Sequence, residues 1–114
     1  MAHPKFLLAY RNPPEADAHP PSAAEMQQIY AQWVAWKEKF KNEIVDLGDG
    51  LKPAGRVVRA GSTTDGPWVE AKEVLGGYSI VQAANIERAV EISKSCPVLA
   101  MPGASVEVRE LAGY

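Results

Sequence analysis

The run Phe6-Leu7-Leu8-Ala9-Tyr10 limits the possible folds of this chain more than any other segment. In a strand, Phe6, Leu8 and Tyr10 face one way, and Leu7 and Ala9 face the other. A strand apolar on both faces must be covered on both. The run is too short to span a membrane or to form the core of a signal peptide. Lys5 to Tyr10 is therefore predicted as a strand in a sheet with a layer on each side.

The remaining elements follow in order. Ser22-Ala23-Ala24-Glu25 is a capping box, and it opens a helix. Met26, Ile29, Tyr30, Trp33, Val34, Trp36 and Phe40 recur at helical spacing and read as its core stripe. That helix is expected to fray over Asn42 to Asp46, with Gly48-Asp49-Gly50 as a turn. Arg56 to Ala60 is predicted as the second strand and Tyr78 to Ala84 as the third. Asn85 caps a second helix with Ile86, Ala89, Val90 and Ser93 inward, and Pro97 prevents its continuation. Cys96 reads as a small buried residue. Ser105 to Leu111 is the last strand, with Val106 and Val108 on one face and Ser105, Glu107 and Arg109 on the other. The prolines at 13, 14, 20 and 21 make Asn12 to Pro21 a loop.

Strand, helix, strand, strand, helix, strand is the ferredoxin-like βαββαβ order, an α+β fold with an antiparallel sheet and both helices on one face. The helices leave the second face of the first strand bare. A large exposed apolar face is rare in a monomer, so a twofold homodimer with sheets face to face is expected. A cleft would then lie at the subunit boundary, where small-molecule sites are common.

The totals agree with a single domain over 1–114. The chain has 114 residues, 46% hydrophobic and 23% charged, with a formal net charge of -2. That charge gives no basis for nucleic-acid or membrane-surface binding. The single Cys96 permits no internal disulfide, which fits a reducing, cytoplasmic setting. No metal motif and no cofactor motif is present, and His3 and His19 read as exposed surface residues.

The densest polar segment is Asp65-Gly66-Pro67-Trp68-Val69-Glu70-Ala71-Lys72-Glu73-Val74-Leu75-Gly76-Gly77. Asp-Gly is a strong turn dipeptide, and Pro67 removes a backbone donor. In an extended segment Glu70 and Lys72 share a face. These charges read either as a solvated edge that resists further pairing or as a loop presenting a carboxylate and a lysine beside a cleft.

Asp65-Gly66-Pro67-Trp68, Lys72-Glu73 and Gly76-Gly77-Tyr78 resemble the YCII-related family, in the branch named for an Asp-Gly-Pro-Phe motif. Trp68 stands in place of the Phe. The resemblance continues through Ile86-Glu87-Arg88-Ala89 and Val106-Glu107-Val108-Arg109. It implies a dimeric α/β barrel of ferredoxin-like protomers, with Asp65 as counterpart of the aspartate in a proposed His-Asp pair. The histidine has no counterpart, since Trp33 and Trp36 stand where it would be sought. The branch also implies an association with sigma factors.

Three functions follow as expectations. The first is small-molecule binding or conversion at the dimer cleft. Asp65 would be the acid/base or an anchoring carboxylate, Glu70 and Lys72 would tune it or bind the ligand, and Glu73, Tyr78, Glu107 and Arg109 would bind the ligand. It requires Asp65 to converge with Lys72 or Arg109. The second is a non-catalytic interaction or regulatory module linked to transcription. The third, a cofactor-free monooxygenase or isomerase, rests on fold analogy alone.

Overall fold

A computed structural model describes residues 3–13, 22–66, 69–70 and 73–113. The proline-rich loop beyond Pro13, His19, Pro67, Trp68 and Lys72 lie outside the described residues.

The elements run β1 (Lys5–Asn12), α1 (Ala23–Lys39), β2 (Ile44–Gly50), β3 (Gly55–Arg59), β4 (Ser62–Gly66), β5 (Val69–Glu70), β6 (Glu73–Gln82), α2 (Ile86–Lys94), a 3-10 turn (Pro97–Ala100) and β7 (Ser105–Glu110). The main sheet has the order β2-β6-β1-β7, with the short β5 also paired to β6. All its pairings are antiparallel. With β1, β2, β6 and β7 as the four sheet strands, this is the ferredoxin-like arrangement. The hairpin β3-β4 forms a separate two-stranded sheet.

The second strand of the main sheet is Ile44–Gly50, not Arg56–Ala60, which supplies the hairpin instead. Chain geometry explains the exchange. Phe40 closes α1, and its carbonyl accepts from both Glu43 N and Ile44 N at 2.9 Å, so the chain leaves the helix sharply. Ile44 and Leu47 then pack against the core. Gly48, at φ 72°, absorbs an irregularity in the pairing with β6. A β-carbon there would fall onto the Tyr78 carbonyl. In β3, by contrast, Arg56 and Arg59 flank two valines, and Val58 is 74% exposed.

The core lies between one sheet face and the helices. It holds Phe6, Leu8 and Tyr10 from β1, Val81 from β6, Trp36 and Phe40, and Ala89 and Ile92. Trp36 Nε1 donates to the Ile92 carbonyl at 3.0 Å and ties α1 to α2. Both caps form as expected. Ser22 Oγ accepts from Glu25 N while Glu25 accepts from Ser22 N, and Asn85 Oδ1 accepts from Arg88 N.

The helical stripes differ from expectation in extent. On α1, Trp36 and Phe40 are buried and Trp33 packs on the core, but Met26, Ile29, Tyr30 and Val34 are exposed. The C-terminal half of α1 is the part that meets the core. On α2 the buried stripe is Ala89, Ile92 and Ser93, continued by Cys96, whereas Ile86 and Val90 face outward. Gly76 and Gly77 lie inside β6 rather than before it. Tyr10 pairs Gly77 and Arg11 pairs Leu75, so Gly76 is the extra residue of a bulge.

Candidate functional site on the open sheet face

Strand alternation puts a second set of side chains on the sheet face away from the helices. Register defines its rows. Ala9 of β1 stands opposite Tyr78 of β6 and Glu107 of β7, and Leu7 stands opposite Ile80 and Arg109. Long neighbours shelter Ala9, which is 6% exposed. Tyr78 and Glu107 are half-buried, and Arg109 is exposed.

An ion pair crosses this face. Arg11 Nη2 lies 3.2 Å from Glu107 Oε1, with the side chains 29% and 42% exposed. Arg11 Nε donates to the same oxygen at 3.2 Å. The guanidinium thus leans from the end of β1 over the carboxylate of β7. At the other edge, Asp46 pairs Ile80 and Asp49 pairs Tyr78 in the β2-β6 register. Asp46 Oδ1 accepts from Gly48 N at 2.9 Å, and Asp49 Oδ1 accepts from Gly50 N at 2.8 Å.

Tyr78, Glu107 and Arg109 therefore share one face of the main sheet. Asp65 lies on β4 of the separate hairpin, where its carboxylate is 91% exposed and sits 3.4 Å from Arg56 Nε. Within one chain, Asp65 and Arg109 belong to different sheets. Glu70 and Glu73 are backbone partners in the β5-β6 register. Sequence reasoning missed three further polar residues: Arg11, Asp46 and Asp49. Arg11 follows directly on the apolar run and continues its outward alternation after Leu7 and Ala9, a signal that was readable. Asp46 and Asp49 were hidden because Gly48-Asp49-Gly50 reads as a turn.

Beneath the sheet is a buried polar chain. Tyr10 Oη donates to Ser79 Oγ at 2.5 Å, and Ser79 Oγ donates to the Leu47 carbonyl at 2.5 Å. Burial pushes the Tyr10 phenol well above its ordinary value, and burial likewise raises the Cys96 thiol. Both groups are therefore neutral. Trp33 covers Tyr10 at a centroid distance of 5.7 Å. This chain of bonds links β1, β6 and β2 side by side within the sheet.

The open face offers two guanidinium groups, carboxylates, a phenol and three aliphatic side chains, Leu7, Ala9 and Ile80. Such a set can hold a small ring or chain bearing oxygen substituents. Among the described residues no cluster of three or more His, Cys, Asp or Glu could hold a metal ion, and no helix is long and apolar enough to cross a membrane.

Among curated protein sequences there is no match. Among solved structures, the fold is similar to 5-chloro-2-hydroxyhydroquinone dehydrochlorinase from Burkholderia phenoliruptrix AC1100, in complex with 2,5-dihydroxybenzoquinone. The TM-score is 0.52 at 19% identity, covering 93% of this chain and 92% of that one. This likeness supports the fold alone. The YCII-related domain is matched over residues 6–112, and with the ferredoxin-like topology in place, the chain belongs to the YCII-related domain family.

Proposed function

We propose that this protein binds or converts a small molecule in a cleft formed when two copies pack their open sheet faces together. One observation carries the reading. Tyr78, Arg11, Glu107 and Arg109 share a sheet face with Leu7, Ala9 and Ile80, and the chain's own helices cover the opposite face. Apolar side chains in such a face favour association, while the polar groups give a ligand orientation. A dihydroxybenzoquinone bound to a protein of this fold is the kind of compact oxygenated ring such a set would suit.

In this reading the chain falls in the Asp-Gly-Pro-Phe branch, and the hairpin supplies Asp65 to the cleft of the other copy. Exposure and a weak contact to Arg56 leave that carboxylate available. Glu70, Lys72 and Glu73 are ligand-binding residues in this reading. Arg11 is a positioning residue that holds Glu107.

A thermal-shift screen of small hydroxylated rings and carboxylic acids on wild type, Asp65→Ala and Glu107→Gln tests the reading. A ligand at a hundredfold its dissociation constant adds about 2.7 kcal/mol of stability. Stabilisation of wild type that both variants lose would support a site shared by the hairpin and sheet. Sedimentation must show a dimer under the same conditions. A monomer with no stabilising compound would overturn the proposal.

A further inference from the structure

A concavity lies away from the open sheet face, between the flank of α1 and the 3-10 turn that follows α2. Its volume is about 520 Å³, within the roughly 300–1,000 Å³ usual for small-molecule sites. Trp36 and Cys96 form its base, and both are buried. The Trp36 ring is held by its hydrogen bond to the Ile92 carbonyl, so the base is fixed before anything binds. Ala35, Pro97, Leu99 and Ala100 add apolar lining, with Gln32 and Ser95 also at its surface.

The rim is cationic. Lys39 ends α1 and Lys94 ends α2, and both line the groove. Among the described residues no carboxylate lines it. Beside the rim stands Glu91, whose Oε2 lies 3.6 Å from Lys94 Nζ in a pair exposed by 61% and 70%. An exposed pair of this kind is weak, so a ligand carboxylate can replace it. Lys39 Nζ stands 5.3 Å from the centre of the Phe40 ring. Both ammonium groups also suit the negative ends of their helices. That explains their position and leaves them able to turn toward an anion.

We infer that the groove between α1 and the 3-10 turn binds amphipathic carboxylates, such as a bicyclic aromatic or medium-chain acid. The apolar body would lie on Ala35, Trp36, Pro97 and Ala100, and the carboxylate would lie between Lys39 and Lys94. This site is separate from the open sheet face and stands without any activity there.

The test is calorimetric titration of the full chain with 1-naphthoate and, below its micellar range, decanoate. Saturable one-site binding is expected for wild type. Lys39→Glu/Lys94→Glu should weaken it at least tenfold, and Ala35→Phe should do the same by filling the groove. Lys37→Glu/Lys41→Glu makes the same charge change outside the groove and should bind as wild type. 1-Naphthalenemethanol, the neutral analogue, should bind at least tenfold more weakly than the acid. Absence of saturable binding to wild type overturns the inference, as does equal loss in both lysine pairs. Should Ala35→Phe fail to fold, the two lysine pairs alone still decide.

Discussion

Tyr10 and Ser79 lie on adjacent strands, β1 and β6, and the phenol donates to the Ser79 hydroxyl at 2.5 Å inside the core. Ser79 is fully buried and donates its own proton to the Leu47 carbonyl of β2. Three neighbouring strands are thus linked by side-chain bonds in addition to their ladders. Ser79→Ala should destabilise by about 1–3 kcal/mol, the cost of stranding a buried polar partner. Tyr10→Phe/Ser79→Ala should cost less than the sum of the single variants. Urea denaturation of the cycle measures this, and strict additivity would show that the two hydroxyls are not coupled.

The same phenol sets a limit at high pH. Burial raises the folded-state value of Tyr10 above the unfolded one, so its contribution is complete below about pH 10, the unfolded value. It is lost as pH rises beyond that, because the unfolded chain ionises first. Melting temperature should fall as pH is raised through and above about 10 in wild type and fall less in Tyr10→Phe. Equal slopes in the two proteins would exclude Tyr10 as the cause.

At low pH the Glu43–Arg88 pair responds in the opposite sense. Arg88 Nε and Nη2 donate to the two Glu43 oxygens at 2.7 and 2.6 Å. This bidentate contact lowers the Glu43 carboxyl below its usual range, against a smaller opposing effect of burial. Its stabilisation is present above the unfolded carboxyl value and disappears as pH falls through the lower folded one. Glu43→Gln should therefore lower the melting temperature at neutral pH and make little difference in strong acid, below both values. A deficit that persists undiminished in acid would point to lost packing instead.

Gly48 gives a backbone prediction. Its φ is 72°, and a side chain there would meet the Tyr78 carbonyl. Gly48→Ala should cost more than the roughly 1–2 kcal/mol of left-handed backbone strain alone. Gly61 also has positive φ, at 84°, but open space around it. Gly61→Ala should show only the strain cost. Chemical denaturation of both variants separates the clash from the dihedral.

On the open face, Glu107→Lys would set a third cation beside Arg11 and Arg109. If two such faces pack together, like charges meet across the boundary, and the variant should dissociate at concentrations where wild type is dimeric. Adding Arg11→Glu should restore association. Sedimentation velocity reports the result, and an unchanged distribution would remove this face from the interface.

The fold was readable where one physical rule acted alone. Alternation in β1 and β7 assigned side chains to their faces, and both helix caps were legible because a short polar side chain must satisfy the free amides there. It failed where two rules competed. Gly48-Asp49-Gly50 has turn chemistry, yet the pairing with β6 makes it the end of a strand. Met26, Ile29, Tyr30 and Val34 have core spacing, but nothing among the described residues buries them. For the site, residues on regular strands such as Tyr78, Glu107 and Arg109 could be grouped from sequence. Asp65 could not, because its neighbours depend on how a hairpin lies in space.

That hairpin has a thermodynamic consequence. Strands β3 and β4 are hydrogen-bonded to each other and, among the described residues, form no ladder with the main sheet. A two-stranded ribbon is marginal in water by itself. It can open without breaking the central sheet, so within one chain its amides would exchange with solvent at the free energy of a hairpin, far below that of the domain. The segment holding Asp65 is thus a subunit of stability in its own right, whose order depends on what it rests against.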